Sequence, residues 1–266
     1  MKDCSSEGEM SFWSHVDALR AVLLRVAAVV LVLGIAAFMA TPWLFDNFIM
    51  APCSGGFPTY RLFNYVACAS GMPELATSSD FSVDIVSLEL SSQLFTHMSA
   101  AGWLAVLAGF PIILYLLWGF VSPGLHSHER RGIRGAFAAG NLLFYLGVAA
   151  GYMLVFPLAL RFLADYRLSS SIRPFVSLES YMDNFFALLI AMGVVFELPM
   201  VSWLLGRMGV LHRGFFSRYR RHAIVVLLII AALITPTGDP FTLFIVFLPV
   251  YALWEAAALL VPKENT

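Results

Sequence analysis

Two carboxylates stand apart from the other acidic side chains of this sequence. Glu129 lies in Phe110–Arg134, FPIILYLLWGFVSPGLHSHERRGIR, which begins as an apolar helix, crosses a break at Ser122–Gly124 and ends in His128-Glu129-Arg130-Arg131. A membrane-spanning helix that stops in Lys/Arg-rich sequence normally stops on the cytoplasmic side, so Glu129 is expected at the cytoplasmic mouth of a membrane. On the residues alone, pairing with Arg130 and Arg131 in a solvated loop is its favoured reading. Glu197 lies inside an apolar run, in Phe196-Glu197-Leu198-Pro199. A carboxylate at membrane depth is costly unless it faces a cavity or a partner, so function is its default reading. A buried Glu bonded only to neighbouring helices is the alternative.

Other chemistries find no support. The sequence has no HExxH, no GxSxG, no Walker loop and no cysteine pair with zinc spacing, so no catalytic residue, metal or cofactor is expected. The histidines, His15, His97, His126, His128, His212 and His222, all fall near expected membrane boundaries, where a solvated or interfacial ring is the favoured reading. No long basic face exists outside short loops, so no nucleic-acid partner is expected.

The elements that must position the two carboxylates follow from hydropathy. The chain is 60% hydrophobic and only 12% charged, against about 25% charged residues in soluble domains. The polar start, with Asp3, Glu7, Glu9 and Asp17, is not the short basic head of a cleaved signal peptide. Apolar runs of about 20 residues cross a bilayer. They place spans at about 21–45, 98–121, 137–160, 185–205, 222–235 and 241–261, within one polytopic membrane domain over 1–266. The polar stretch Asp46–Gln93, in an external loop 46–97, holds Arg61 against five acidic residues. Of the 16 Lys and Arg, only Arg61, Arg161, Arg167 and Arg173 fall outside in this scheme. That bias predicts an all-α integral membrane protein with six transmembrane helices, the last two short, and both termini cytoplasmic. The fifth run, Ala223–Ile234, is short enough that a re-entrant half-crossing is the other reading.

Several residues read as structural. Pro111 inside the second span removes a backbone hydrogen bond, and neighbouring helices or a cavity must satisfy the freed carbonyl. Pro236 belongs to a Pro/Gly turn joining the last two runs, and Asp239 before Pro240 is placed to cap the last helix. Cys53 and Cys68 share the external loop; a disulfide between them and two unpaired thiols are both open.

The order of these motifs resembles the TatC family, the polytopic subunit of the twin-arginine protein translocase. The resemblance runs from His15 to Glu255. It is carried by His15-Val16-Asp17-Ala18-Leu19-Arg20, Pro111…Tyr115…Trp118-Gly119-Phe120, Ser122-Pro123-Gly124-Leu125…Glu129-Arg130, Ser180-Tyr181 and Phe196-Glu197-Leu198-Pro199. Arg221-His222-Ala223, Thr235-Pro236…Asp239 and Pro249…Glu255 continue it. It implies a bacterial inner-membrane receptor with a concave intramembrane surface, binding twin-arginine signal peptides of folded cargo at the cytoplasmic face. It also implies single-span partners of the TatA/TatB type, homo-oligomers, lipid contacts and export driven by the proton gradient. Glu129, Asp17, Arg20 and Pro123 are then the expected signal-peptide residues, and Glu197 the intramembrane polar or partner site. A carboxylate accepts two parallel hydrogen bonds from a guanidinium, a fork that lysine lacks. The pattern departs at Ala18, where the family usually has glutamate before Leu-Arg. Asp17 is one residue earlier, about 100° around a helix.

Two rivals are weighed against this. A proton-coupled small-solute permease also explains six spans and one buried carboxylate, but it should show matching broken helices in two halves, and the loop at Asp46–Gln93 has no counterpart. A membrane-embedded enzyme needs clustered polar groups at membrane depth, where Glu197 stands almost alone.

Overall fold

The computed structural model describes residues 12–70, 81–121, 130–166, 169, 175–235 and 238–261. Glu129, Pro123 and Pro236 lie outside the described residues. The chain opens with α1 (Phe12–Leu44), which passes through a π-helical turn (Phe45–Ile49) and a 3-10 turn (Ala51–Cys53) into α2 (Pro58–Ala69). There follow β1 (Ile85–Val86), α3 (Ser92–Val121) and α4 (Arg130–Ala150). A second π-helical turn, Gly151–Val155, joins α4 to α5 (Phe156–Asp165). The remainder is β2 (Val176–Ser177), α6 (Leu178–Val195), α7 (Leu198–Arg207), α8 (Arg213–Ile234) and α9 (Pro240–Leu260).

Among the described residues, five helical stretches are long and apolar enough to cross a membrane: Val16–Cys53, Ser92–Gly119, Phe137–Asp165, Leu178–Arg207 and Pro240–Leu260. Each of the first four overhangs the hydrocarbon core. At 1.5 Å per residue, the 33 residues of α1 reach about 50 Å against a core of about 30 Å. The last helix is not short as expected: α9 has 21 residues, about 32 Å, and crosses without thinning the bilayer. The fifth expected span, in α8, is not among these helices. Arg213, Arg218, Arg220 and Arg221 occupy its first half, and the apolar remainder from Ala223 to Ile234 rises only about 18 Å.

The core is centred on α6, which packs against α3, α4, α5 and α8. It buries Tyr181, Met182, Phe185, Phe186, Leu188, Leu189, Met192 and Val195. The crossing with α4 needs glycine: a Cβ on Gly147 would lie 2.5 Å from the Met192 carbonyl oxygen, and one on Gly193 would lie 2.7 Å from the Phe144 ring. Among the described residues, departures from helix include a two-residue parallel pairing of β1 with β2, Ile85 against Val176 and Val86 against Ser177, and an isolated bridge of Ser54 with Ser82. The pairing of β1 with β2 ties together the two segments expected outside the membrane.

Prolines inside helices cost a backbone donor each, and at Pro42 and Pro111 the donor comes from a neighbouring element. Pro42 has no N–H for the Phe38 carbonyl, and His97 of α3 lies 2.8 Å from that oxygen. Pro111 leaves the Leu107 carbonyl without its helical partner, and the Tyr145 hydroxyl of α4 donates to it at 3.0 Å. The Phe48 carbonyl, four residues before Pro52, accepts from Tyr152 at 2.9 Å. The Met153 carbonyl, four residues before Pro157, accepts from Thr59. In lipid every backbone polar group must be satisfied within the protein, so these four side chains fix which helix sits beside each proline.

Cys53 and Cys68 are free thiols. Cys53 is buried in the 3-10 turn beneath Tyr181, while Cys68 lies exposed near the end of α2. Of the two arrangements left open by the sequence, the structure has the unpaired thiols. Instead the segment is held by tyrosines: the fully buried Tyr60 hydroxyl lies 3.0 and 3.1 Å from the carbonyls of Pro52 and Pro157, and Tyr181 donates to Ile49. Burial pushes the Tyr60 phenol well above its ordinary pKa, so it stays a donor.

Candidate functional site

Glu197 stands at a break between two helices. Pro199 has no N–H to give the Val195 carbonyl, and α6 ends in a tight turn in which the Glu197 amide donates to Val194 at 3.1 Å. The chain re-enters a helix at Leu198, with the Glu197 carbonyl accepting from Val201 at 2.9 Å. This turn lays the side chain against α4. A Cβ on Gly140 would be 3.1 Å from Glu197 Oε2 and 3.3 Å from the Met200 sulfur, so the missing side chain at Gly140 is the space that the carboxylate occupies. Glu197 Oε1 is buried and has no hydrogen-bond partner among the described residues. The same holds for Asn141 Oδ1, next to Gly140 in the chain, whose amide nitrogen donates to the Phe137 carbonyl at 2.9 Å. No group of three or more His, Cys, Asp or Glu able to hold a metal occurs among the described residues. What the arrangement offers is a half-buried carboxylate with an open acceptor, ready for a donor from another molecule.

Asp17 and Arg20 both lie on exposed positions near the start of α1, five and eight residues past Phe12. Neither takes part in an ion pair among the described residues. The helix places them at the same end of the molecule as the C-terminal end of α3 and the beginning of α4, between which Glu129 falls in the chain. Glu129 and Pro123 themselves lie outside the described residues, so their distance from Asp17 stays an expectation.

Asp239 is the N-cap of α9: its side chain accepts from the Thr242 amide at 2.8 Å. Glu255, near the other end of α9, joins two helices. Its Oε2 meets Arg220 Nη2 of α8 at 2.5 Å, and its Oε1 accepts from the Tyr251 hydroxyl at 2.9 Å. The pair staples the first turns of α8 to the last turns of α9. The four-residue spacing of Tyr251 and Glu255 on one helix was visible in the sequence; the arginine across from them was not. Sequence reasoning also passed over Gly140, whose role depends on a residue 57 positions later in the chain.

The family model described as Sec-independent protein translocase protein (TatC) matches residues 14–249. A protein of Blattabacterium sp. subsp. Periplaneta americana, named Sec-independent protein translocase protein TatC, is 30% identical over 256 residues, 94% of each chain. One of the same name from Deinococcus radiodurans is 35% identical over 205 residues, 76% of this chain and 74% of the relative. A crystal structure of a twin arginine translocase receptor TatC superposes with a TM-score of 0.72 at 27% identity, covering 92% of this chain and 97% of that one.

Proposed function

The chain belongs to the TatC family of Sec-independent protein translocase proteins, and from that premise we propose that it is the receptor subunit of a twin-arginine translocase. In this reading it is a multi-pass protein of the bacterial inner membrane with six crossings and both termini cytoplasmic, α8 providing the short fifth. The observation that carries the reading is the superposition, over nearly the whole chain, on a structure described as a twin-arginine translocase receptor.

The receptor's first task is to recognise two adjacent arginines on a folded cargo's signal peptide. Glu129, between the ends of α3 and α4, is the carboxylate that accepts a guanidinium fork at the cytoplasmic face. Asp17, with Arg20 and Pro123 framing the site, supplies the second carboxylate in place of the glutamate that Ala18 lacks. The exposed placement of Asp17, without an ion-pair partner among the described residues, supports this role. Glu197 serves the intramembrane step. A concave surface between the spans receives the apolar part of the signal or the helix of a partner subunit, and the unpartnered Oε1 takes a donor from it. Single-span TatA/TatB-type subunits, further copies of this chain and membrane lipids complete the assembly. The proton gradient drives export, without a nucleotide, metal or other cofactor.

The test is site-specific crosslinking of a twin-arginine signal peptide to positions flanking Glu129, in membranes containing the full-length protein. Each charge-assisted hydrogen bond contributes about 1.5–3 kcal/mol, so Glu129→Ala is expected to weaken arginine-dependent crosslinking by about tenfold or more. Glu129→Gln, which keeps one acceptor, should retain part of it. A correctly inserted protein with no arginine-dependent crosslink near Glu129 overturns the receptor reading and restores the small-solute permease.

A further inference from the structure

A cavity of about 450 Å³ opens between the C-terminal end of α1, the first turns of α3, β1 and the start of α6. Its polar lining is Thr41, Asp46, Ser87, Gln93, Thr96 and His97, over an apolar floor that includes Met182 of α6. Among the described residues, no lysine or arginine lines it. It lies where the apolar stretches of α1 and α3 end, at the membrane boundary opposite Asp17 and Glu129. We propose that this cavity binds a primary ammonium group, supplied by the ethanolamine headgroup of a membrane phospholipid.

The donors and acceptors on its walls decide the sign of the ligand. His97 Nε2 is committed to the Phe38 carbonyl, the one that Pro42 leaves without a backbone donor. A carbonyl only accepts, so Nε2 carries the hydrogen and Nδ1 of the neutral ring is an acceptor. The ring is held in place by stacking on Phe38, with centroids 3.8 Å apart and planes 6° from parallel. Asp46 is a second acceptor; it is exposed and has no ion-pair partner among the described residues. An anion alone would meet a carboxylate with no compensating cation. An ammonium group meets acceptors on more than one wall, while the Gln93 amide can donate to a phosphate beside it.

Size and surroundings favour a lipid as the source. The volume lies within the range of small-molecule sites, about 300–1,000 Å³. Met39 and Trp43 of α1 and Phe95 of α3 stand beside it at 81%, 62% and 64% exposure, a sheath for acyl chains below a headgroup. A choline headgroup carries no N–H and cannot use these acceptors, so the site should separate ethanolamine from choline lipids.

The experiment is native mass spectrometry of the full-length protein released from detergent, with phosphatidylethanolamine, phosphatidylcholine and phosphatidylglycerol of identical chains as competing probes. We expect the ethanolamine lipid to be retained at least fivefold over the other two. Asp46→Asn should remove that preference, and so should Gln93→Lys, which brings a resident ammonium to the wall. Both positions are exposed, and an unchanged thermal midpoint checks that the variants fold. Equal retention of ethanolamine and choline lipids overturns the proposal, as does a preference that survives both substitutions. Binding of O-phosphoethanolamine as tight as that of the intact ethanolamine lipid also overturns it, because the ligand is then a soluble amine.

Discussion

Removing the Tyr145 hydroxyl should destabilise the protein only while residue 111 is proline. In the native chain, Pro111 has no N–H, and the Leu107 carbonyl takes its hydrogen bond from Tyr145 at 3.0 Å. Tyr145→Phe leaves that carbonyl without a donor in a lipid-facing part of the bundle. Interhelical hydrogen bonds in membranes contribute about 0.6 kcal/mol on average and up to about 1.7. Because the alternative here is an orphaned backbone acceptor, the upper end applies, and Tyr145→Phe should cost about 1–1.7 kcal/mol. In a Pro111→Ala background the helix supplies its own i to i−4 bond to Leu107, and the same change should cost less than about 0.5 kcal/mol. The assay is a double-mutant cycle on reversible unfolding by SDS in mixed micelles, with a coupling of about 1 kcal/mol expected. Equal costs in the two backgrounds would refute the reasoning. The tyrosine would then stabilise by ring packing, and the proline pairing would carry no energy.

Further expectations concern packing, capping and access. Gly147→Ala pushes a Cβ to 2.5 Å from the Met192 carbonyl oxygen and should destabilise by about 1–3 kcal/mol. Gly102→Ala, with nothing within 4 Å, should be neutral or stabilising by up to about 1 kcal/mol; the same SDS titration compares the two. Asp239→Ala removes the cap on the Thr242 amide and should cost about 1 kcal/mol, while Asp239→Asn keeps most of the stability. In maleimide labelling of the native protein in detergent, Cys68 should react readily and Cys53 only on unfolding. Equal labelling of the two would contradict the buried placement of the 3-10 turn.

Much of this was legible in the sequence because lipid imposes simple rules. Apolar runs mark the helices, and the arginine-rich stretches mark the ends expected to be cytoplasmic. Pro111 announces a carbonyl that something else must satisfy. What the sequence could not supply is the identity of that something. Tyr145 reads as one more aromatic until α4 is known to lie beside α3, and His97 reads as an interfacial ring until Phe38 is known to face it. The helix lengths were misjudged where hydropathy stops before the helix does: α1 begins at Phe12, well before the apolar run at Ala21. The segment after α1 was expected to be a polar loop with a disulfide question. It is instead a packed layer in which Tyr60, Tyr152 and Tyr181 donate to backbone carbonyls. Periodicity reports which face of a helix is apolar, not which distant carbonyl lacks a donor.

The thoroughness of that hydrogen bonding bears on Glu197. The carbonyls of Phe38, Phe48, Leu107 and Met153 each receive a donor from another element. Four buried side-chain atoms lack one among the described residues: Trp118 Nε1, Asn141 Oδ1, Thr242 Oγ1 and Glu197 Oε1. Three belong to neutral groups, for which an unmet hydrogen bond in a protein costs about 1–3 kcal/mol. A carboxylate at the same depth costs more, whether it stays charged or takes up a proton. Gly140 deepens the anomaly, since an alanine there would crowd the carboxylate out of its place. Glu197 Oε1 stays open among the described residues where neutral carbonyls such as those of Phe38 and Leu107 are supplied with donors, and that contrast supports the proposed intramembrane contact at Glu197.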